Sequence, residues 1–309
     1  MMQRATAGAG GAGLDVDEVF STFLYDGTSS AQTITNGIDL AGEGGLVWMK
    51  NRTHGSYPHA LQHTTIANGG YLSSNQTAAF KAAANNGISA FNSNGFTFDT
   101  GNWEEFNNSS HDYVSWTFRK APKFFDVVTY TGNGTSDRLI NHNLGQAPGM
   151  IVIKCTSTSG TNWSVYHVGL GPSHYVLLNS SNAYAANGFG RLVSSTQFEV
   201  GPNWPDENQS GRTYIAYLFA HNNNDGEFGP DGDADIIKCG SYTGNGSTTG
   251  PVVNLGFEPQ FVMIKTTDNL SRGWAVQDSM RGMVVGGADQ RLRWDSSGAE
   301  GADNGIAPT

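Results

Sequence analysis

Short hydrophobic segments alternate with polar turns along almost the whole chain. The segments are rich in Val, Ile, Phe, Tyr and Trp, and clusters of Gly, Asn, Ser or Pro separate them, which is typical of β-strands joined by tight turns. From Tyr113 to Phe118 polar and apolar residues alternate, which predicts a half-buried strand. LVWMK, MIVIK and FVMIK are nearly continuous apolar segments and predict central strands buried on both faces. Only TAAFKAAANN, from Thr77, indicates a helix.

The hydrophobic pattern repeats along the chain. In the middle of the sequence DVVTYTGNG, INHNLG and PGMIVIK follow one another, and IKCGSYTGNG, VVNLG and EPQFVMIK follow in the same order further on. A weaker copy, with FSTFLYDG, ITNGIDL and GGLVWMK, lies nearer the N-terminus. Tyr25, Tyr130 and Tyr242 mark matching positions, so the repeat is about 105 residues long.

Each complete copy contains enough short strands for a β-sandwich or jelly roll. We therefore predict an all-β fold of tandem sandwich or jelly-roll-like repeats, with a flexible N-terminal arm. The expected boundaries are a Gly/Ala-rich arm (1–13), repeat 1 (14–122), repeat 2 (123–222), a linker (223–234) and an incomplete repeat 3 (235–309).

Repeat 3 stops before counterparts of GFTFDTGNW and DYVSWTF. A sandwich without these strands has an open edge. We expect residues from about Met283 to Thr309 to be ragged or packed against another chain. Either a longer natural protein or a neighbouring chain would supply the missing strands, and we favour a longer protein.

Composition excludes several classes of function. The 309 residues carry 17 Lys plus Arg against 27 Asp plus Glu, a net charge of −10, which argues against nucleic-acid binding and against docking on anionic lipid. No apolar run is long enough to insert into a membrane. The two cysteines, Cys155 and Cys239, are expected to be buried, reduced thiols.

No motif for catalysis or cofactor binding stands out, so we expect neither an enzyme nor a cofactor. Gly8, Gly10 and Gly13 fit GxGxxG, but no strand precedes them and no helical pattern follows. We interpret them as part of an arm that could dock into a groove of a partner.

Asp231, Asp233 and Asp235 form a DxDxD pattern, and carboxylates at alternate loop positions can bind Ca²⁺. Ile236 stands where an EF-hand needs glycine, which favours a solvated linker. These three aspartates are nevertheless the metal candidates of this chain. His59 and His63 lie four apart without the intervening Glu of a zinc-protease helix, in a segment we expect to be a loop.

Most tryptophans are expected in the core, but Trp103 and Trp204 lie beside polar loops at matching repeat positions. An aromatic face can pack on the C–H groups of a sugar ring. Neighbouring polar side chains would then bond the hydroxyls of the sugar; the candidates are Asn102, Asn203 and Asp206. Glu104 and Glu105 follow Trp103 and could suggest a glycosidase, but the matching position in repeat 2 favours a recurring polar turn.

Several phrases together resemble a repeated domain of unknown function in tail fibre and virion structural proteins of marine, cyanophage-like bacteriophages. They are NGIDLAGEGGLVWMKNR, YLSSN, FNSNGF, TFRKAPKFFDVVTYTGNGT, HNLGQAPGMIVIK and NWSVYH. The resemblance covers nearly the whole chain from about Asp15 onward. It implies a virion component assembled in the bacterial cytoplasm, and it transfers no catalytic residue.

We therefore expect the N-terminal part of a tail fibre that docks to the tail and supports host attachment. The alternatives are a capsid decoration or head-fibre protein, and a carbohydrate-binding β-sandwich module. The expected partners are other virion proteins (a tail adaptor, a nozzle or the capsid), two further copies in a homotrimer, and a glycan of the host surface.

Overall fold

The computed structural model describes residues 13–66, 70–81, 87–101, 103–171, 173–186, 193–247, 249–268, 271–283, 288–303 and 305–306. Among these residues strands account for 38% and helices for 4%, which confirms the predicted all-β fold. The only α-helix in these ranges is the short α1 (Val16–Val19). The helix expected from Thr77 does not form at residues 77–80, which have no regular secondary structure.

Repeat 1 is a sandwich of two antiparallel sheets. The larger sheet has the order β1-β7-β3-β4 and the smaller one β2-β6-β5. Side chains of the two sheets, such as Phe96 and Val47, meet in one buried cluster. The strands are β1 (Phe20–Asp26), β2 (Gln32–Thr35), β3 (Gly45–Asn51), β4 (Ala60–His63), β5 (Ile88–Asn92), β6 (Gly95–Phe98) and β7 (Asp112–Arg119).

Two sequence interpretations in repeat 1 are wrong. Residues Tyr113 to Phe118 of β7 are buried on both faces, not on one. One face of β7 packs in the sandwich, and the other contacts a second core shared with the remaining repeats. His59 and His63 do not lie together in a loop, because His63 ends strand β4.

Repeat 2 has the same sandwich plan. Its larger sheet has the order β13-β12-β11-β10-β15-β8, and β14 pairs with β9 in the smaller one. In the larger sheet Tyr130 pairs with Tyr214 of the neighbouring strand, just as Tyr25 pairs with Tyr113 in repeat 1. The strands are β8 (Phe125–Thr131), β9 (Arg138–Asn141), β10 (Met150–Cys155), β11 (Trp163–His167), β12 (His174–Leu177), β13 (Ala185–Ala186), β14 (Gln197–Val200) and β15 (Thr213–Phe219).

Repeat 3 forms a single sheet in the described part of the chain. Its order is β16-β17-β18-β19, with strands β16 (Phe261–Ile264), β17 (Ala275–Asp278), β18 (Asp289–Arg293) and β19 (Gly301–Asp303). The segment with Tyr242, which matches β1 and β8, forms no strand, and Tyr242 is 48% exposed. In the other repeats this first strand pairs along its length with β7 or β15, and the described residues of repeat 3 contain no counterpart of these two strands.

The exposed part of repeat 3 is therefore not the part that the sequence pattern predicted. The sequence pattern placed it from about Met283 to Thr309, yet β18 and β19 form there and pair with each other. The described residues between 240 and 260 are mostly exposed instead, including Val252 at 80%. The exposed segment is thus the one whose counterparts, β1 and β8, pair with β7 and β15 in the other repeats.

The larger sheets of repeats 1 and 2 and the single sheet of repeat 3 each turn one face toward a common core. Trp48 of repeat 1 stacks on Trp294 of repeat 3, with ring centroids 3.7 Å apart. The aromatic members of this core include Trp48, Trp116, Phe118, Trp163, Tyr217, Phe219, Trp274 and Trp294. Aromatic side chains bury a large area each, so this core contributes strongly to holding the repeats together.

Hydrogen bonds connect the repeats in a closed cycle. Trp163 Nε1 of repeat 2 donates to the Ser73 carbonyl of repeat 1 at 3.0 Å. Trp274 Nε1 of repeat 3 donates to the Leu177 carbonyl of repeat 2 at 2.9 Å.

His59 closes this cycle from repeat 1. Its Nδ1 accepts from Trp48 Nε1, so its Nε2 carries the proton and donates to the Arg293 carbonyl of repeat 3 at 3.0 Å. The three repeats are thus arranged around an approximate threefold axis within one chain.

An Asn or Asp side chain fixes each donor of the cycle in place. The backbone nitrogens of His59, Trp163 and Trp274 donate to the side-chain oxygens of Asn75, Asn179 and Asp295, at 3.1, 2.9 and 2.7 Å. These three side chains fall at matching positions in the sequence.

Candidate functional site

The turns that carry Trp103 and Trp204 have the same structure. The backbone nitrogen of Asn107 donates to the Trp103 carbonyl, and that of Asn208 donates to the Trp204 carbonyl, both at 2.8 Å. A tyrosine hydroxyl supports each turn from the last strand of its repeat, Tyr113 in one case and Tyr214 in the other. The two candidate glycan contacts therefore lie on equivalent, well-supported turns.

Trp204 has the more accessible surroundings. Its ring is half-buried and meets Tyr175 edge to face, with centroids 5.6 Å apart. Asn203 is exposed beside it, with a left-handed backbone at φ +44°. The Asp206 carboxylate already has hydrogen-bond partners within the chain, because it accepts from the backbone and side-chain nitrogens of Asn162 at 2.8 and 3.2 Å. Trp204 and Asn203 are thus the members of this group that can face a ligand.

Trp103 is less suited to stacking on a ligand. It packs against the buried sandwich core of repeat 1. Gly101 lies against the Trp103 indole, because a Cβ added at Gly101 would come 2.2 Å from Trp103 Nε1. Asn102 lies outside the described residues, so its place beside Trp103 stays a prediction.

The aspartates of the linker do not converge. Asp235 accepts from the backbone nitrogens of Asn224 and Gly226 at 2.8 and 2.9 Å, which fixes the loop. These bonds lower the pKa of its carboxyl group against the opposing effect of burial. Asp231 and Asp233 are exposed. In the described part of the chain no three His, Cys, Asp or Glu side chains are grouped so that they could hold a metal ion.

The end of the N-terminal arm lies against the linker of the same chain. A Cβ at Gly13 would come 2.2 Å from the Glu227 carbonyl oxygen, so only glycine fits this approach without a shift. Leu14 forms a β-bridge with Phe228, and the backbone nitrogen of Gly229 donates to the Leu14 carbonyl at 2.9 Å. Gly8 and Gly10, the other expected docking residues, lie outside the described residues.

A cleft of about 570 Å³ lies between repeats 1 and 2. Five threonines line it together with the aromatic rings of Phe80, Tyr130 and Tyr214 and with His63, which is 1% exposed. His63 Nδ1 lies 2.6 Å from Thr65 Oγ1, and burial lowers the pKa of this histidine to about 3, so it is neutral at pH 7. The lining comes from five separate segments, so no sequence motif could have indicated this cleft.

Residues 15–307 match the model of a protein family described as a domain of unknown function, DUF7483. This chain belongs to that family. Comparison with curated proteins and with solved structures gives no match. None of the helices among the described residues of the DUF7483 chain is long and apolar enough to cross a membrane.

The DUF7483 chain also contains a buried acid that the sequence did not single out. Glu207 is fully buried, and burial raises the pKa of its carboxyl group to about 7. Gly201 donates its backbone nitrogen to Glu207 Oε2 at 3.2 Å. Phe106 holds the matching place in repeat 1, because Tyr25 donates to its carbonyl as Tyr130 donates to that of Glu207. In the sequence, only its alignment with Phe106, a buried apolar residue of repeat 1, could have indicated that Glu207 is buried.

Both cysteines are free thiols, Cys155 fully buried and Cys239 partly so. Burial raises the pKa of the Cys239 thiol to about 12, which keeps it protonated and unreactive at pH 7. The Cys239 thiol lies 3.5 Å from the Ala220 carbonyl. In this DUF7483 chain the partly exposed Trp204 ring with the Asn203 amide beside it suits a neutral polar ligand.

Proposed function

We propose that this chain is a structural protein of a bacteriophage particle, the N-terminal part of a tail fibre that docks to the tail and supports host attachment. The observation that carries this proposal is the cyclic packing of three β repeats around one aromatic core. Such a block is rigid, because each repeat is fixed by both of the others, and rigidity suits a part that transmits position and load.

The approximate threefold arrangement also supports an attachment role. Fibres and their docking sites are built with cyclic symmetry, and a block with three similar sides can continue or cap a symmetric assembly. The resemblance of the quoted phrases to virion proteins agrees with this role. The composition agrees as well, because a net charge of −10 with only 14% charged residues leaves a surface rich in hydroxyls and amides.

The proposed homotrimer concerns separate copies of the chain. The three repeats already occupy three places around an axis inside one chain, so a trimer would bring nine repeats together. Sedimentation of the purified chain measures this directly. A species of three times the 32.9 kDa chain mass supports the trimer, and a monomer over the whole micromolar range contradicts it.

Gold-labelled antibody against residues 14–222 tests the location on intact particles of a phage that encodes this chain. Label confined to the tail is the expected result. Label over the whole head would instead establish a capsid decoration or head-fibre protein. No label on particles whose tail spike or sheath is labelled in parallel would contradict both virion roles.

A carbohydrate-binding module is the second candidate function, and Trp204 is the observation that favours it. The ring is half-buried, backed by Tyr175, and has the exposed Asn203 beside it. Aromatic rings held in this way bind the apolar faces of sugars while amides bond their hydroxyls. This function is compatible with a fibre, since a fibre with a glycan site would both dock and bind.

A further inference from the structure

Glu207 connects the two ends of the turn that carries Trp204, which comprises residues 201–208. Its side-chain Oε2 accepts from the backbone nitrogen of Gly201, the first residue of the turn, at 3.2 Å. Its backbone nitrogen donates to the Trp204 carbonyl at 3.1 Å, and its own carbonyl accepts from the Tyr130 hydroxyl at 2.6 Å. The carboxyl group therefore ties the start of the turn to its end, with Trp204 between them in the sequence.

Repeat 1 has an apolar pair of residues where repeat 2 has this acid. Phe106 stands in place of Glu207, and Ala60 of β4 stands at the position that Ser164 occupies in β11; both belong to the buried sandwich core of repeat 1. Glu207 Oε1 and Ser164 Oγ are also buried, and neither has a hydrogen-bond partner of normal geometry among the described residues. Repeat 2 thus holds two incompletely bonded polar groups at a site that repeat 1 fills with apolar atoms.

The surroundings of Glu207 disfavour its charged form. Burial is the largest effect and raises the pKa of the carboxyl group to about 7, and the Asp206 carboxylate acts in the same direction. The Gly201 nitrogen and the Ser164 hydroxyl favour the charged form, but they do not offset the burial. A carboxylate at this place is therefore more stable where water can reach it.

Two tyrosines also interact with the acid, Tyr130 on β8 and Tyr175 on β12. The pKa of each hydroxyl is raised, mainly by burial and also by the charge of Glu207. Both hydroxyls are thus neutral at pH 7, and neither supplies or removes a charge beside Glu207 when its carboxyl group titrates.

The ionised carboxylate reaches water only if the turn moves. Glu207 is fully buried, whereas residues 202–205, on the outer side of the turn, are partly or fully exposed. Lifting the turn breaks the bond from Gly201 and opens a path from the acid to solvent. Because Trp204 belongs to the same segment of backbone, its ring leaves the contact with Tyr175 in the same movement.

We propose that Glu207 is a proton-controlled latch of the Trp204 turn. The neutral carboxyl group holds the turn closed, with the Trp204 ring against Tyr175. Loss of one proton to solvent gives the carboxylate, which releases the turn. A glycan that stacks on Trp204 therefore binds the protonated chain more tightly. This last step rests on the carbohydrate-binding function proposed above, whereas the movement of the turn does not.

The pKa of Glu207 sets the range and the size of the effect. The carboxyl group has a pKa of about 7 in the closed turn against an ordinary value of 4.5, so ionisation favours the open turn by up to about 300-fold. In the closed turn the protonated fraction falls from about nine tenths at pH 6 to about one tenth at pH 8. We expect the affinity for a glycan to fall by about three- to tenfold over this range, in proportion to the closed fraction.

Fluorine NMR of the full chain labelled with 5-fluorotryptophan tests the latch without any ligand. The variant Trp204→Phe identifies the Trp204 signal, which should shift between pH 6 and pH 8. Glu207→Gln should remove this shift. The matched control Glu227→Gln, at a side chain that is 66% exposed, should keep it. A Trp204 signal that stays constant, or that titrates equally in Glu207→Gln, would overturn the proposal.

Amide exchange gives a second test, which needs no variant of Glu207. The Asn208 amide is bonded to the Trp204 carbonyl, and the Asn107 amide is bonded to the Trp103 carbonyl in the matching turn of repeat 1. After correction for the pH dependence of the exchange chemistry, protection of the Asn208 amide should fall by at least about threefold between pH 6 and pH 8. Protection of the Asn107 amide should stay the same. Equal losses at both amides would mean that the whole chain opens, which contradicts a local latch.

An array of neutral oligosaccharides, probed at pH 6 and pH 8, separates the latch from the glycan site. We expect weaker binding at pH 8 in the original chain and equal binding at both pH values in Glu207→Gln. No binding at either pH would contradict the carbohydrate-binding function, while the Trp204 fluorine signal still decides whether the latch exists. Equal affinity at both pH values in a chain whose Trp204 signal shifts would overturn the control of binding by the latch.

Discussion

Trp116 of repeat 1 donates its indole hydrogen to Oδ2 of Asp278 in repeat 3 at 3.0 Å, inside the common core. The same carboxylate accepts from Arg281 Nε at 2.7 Å, and the Arg281 guanidinium lies 5.4 Å from the centre of the Trp116 ring. The matching contact between repeats 1 and 2 uses His63 and Tyr217. Equivalent positions thus hold the repeats together by different chemistry, an indole donating to a carboxylate at one interface and two aromatic rings at the other.

Replacing Arg281 should destabilise the chain strongly. Its side chain and that of Asp278 are fully buried, so Arg281→Ala leaves a buried carboxylate without its counter-ion, which costs about 3–5 kcal/mol. Arg281→Lys keeps the charge and should cost less. Urea unfolding measures both. Glu43→Gln, which weakens the pair with Arg119 from a Glu43 side chain that is 55% exposed, is the control and should change stability by at most about 1 kcal/mol. Equal effects at both sites would contradict the expectation.

The indole of Trp163 should contribute measurably to the contact between repeats 1 and 2. Trp163→Phe keeps an aromatic ring but removes the hydrogen bonds from Nε1 to the carbonyls of Ser73 and Gln76. Leaving buried carbonyls unpaired should lower the free energy of unfolding by about 1–3 kcal/mol. The control Trp204→Phe, on a surface turn, should change it by less than about 0.5 kcal/mol. Thermal or urea unfolding compares the two.

Glu207 should make the chain less stable as the pH rises. Its carboxyl group has a pKa of about 7 in the fold against 4.5 as the model value, so between these values the folded state holds a proton that the unfolded state has lost. The free energy of unfolding then falls with rising pH, by up to about 1.4 kcal/mol per unit. Glu207→Gln should abolish this part of the pH dependence. Glu227→Gln, with a side chain 66% exposed, should leave it unchanged.

His63 should act in the opposite direction at lower pH. Burial lowers its pKa to about 3 from a model value of 6.5, so between these values only the unfolded state binds the proton. Stability from this group is present above pH 6.5 and is lost as the pH falls toward 3. The measurement is the difference in unfolding free energy between the original chain and His63→Gln across this range. His54→Gln, at an exposed position, is the matched control.

Trp204 should determine glycan binding if the chain binds glycans. We expect Trp204→Ala to weaken binding to an oligosaccharide array at least about tenfold, which corresponds to about 1.4 kcal/mol, and Asn203→Ala to weaken it less. Trp103→Ala should leave binding unchanged once folding is verified, because Trp103 packs into the sandwich core. Loss of binding with Trp103 and not with Trp204 would contradict this assignment.

The candidate sites show where sequence reasoning stops. Trp103 and Trp204 could be paired from their repeat positions and both are partly buried, but only the structure shows that Trp103 packs against the sandwich core of its repeat. Asp231, Asp233 and Asp235 look like a calcium pattern, yet the backbone nitrogens around Asp235 occupy its carboxylate. Whether a carboxylate is free to bind an ion depends on its neighbours in space, which the spacing of acids along the chain does not specify.

The sequence by itself determined the all-β fold and the matching positions of the repeats. Strand formation depends on local properties, the alternation of side chains and the turn residues between them, and these can be read along the chain. The side chains of Asn75, Asn179 and Asp295 matched in the sequence for the same reason. Only the tertiary structure decided that the three repeats close a cycle around one core and that β7 is buried on both faces. These features depend on which sheet faces meet. Burial of a sheet face against another repeat does not produce a separate hydrophobic periodicity in the sequence.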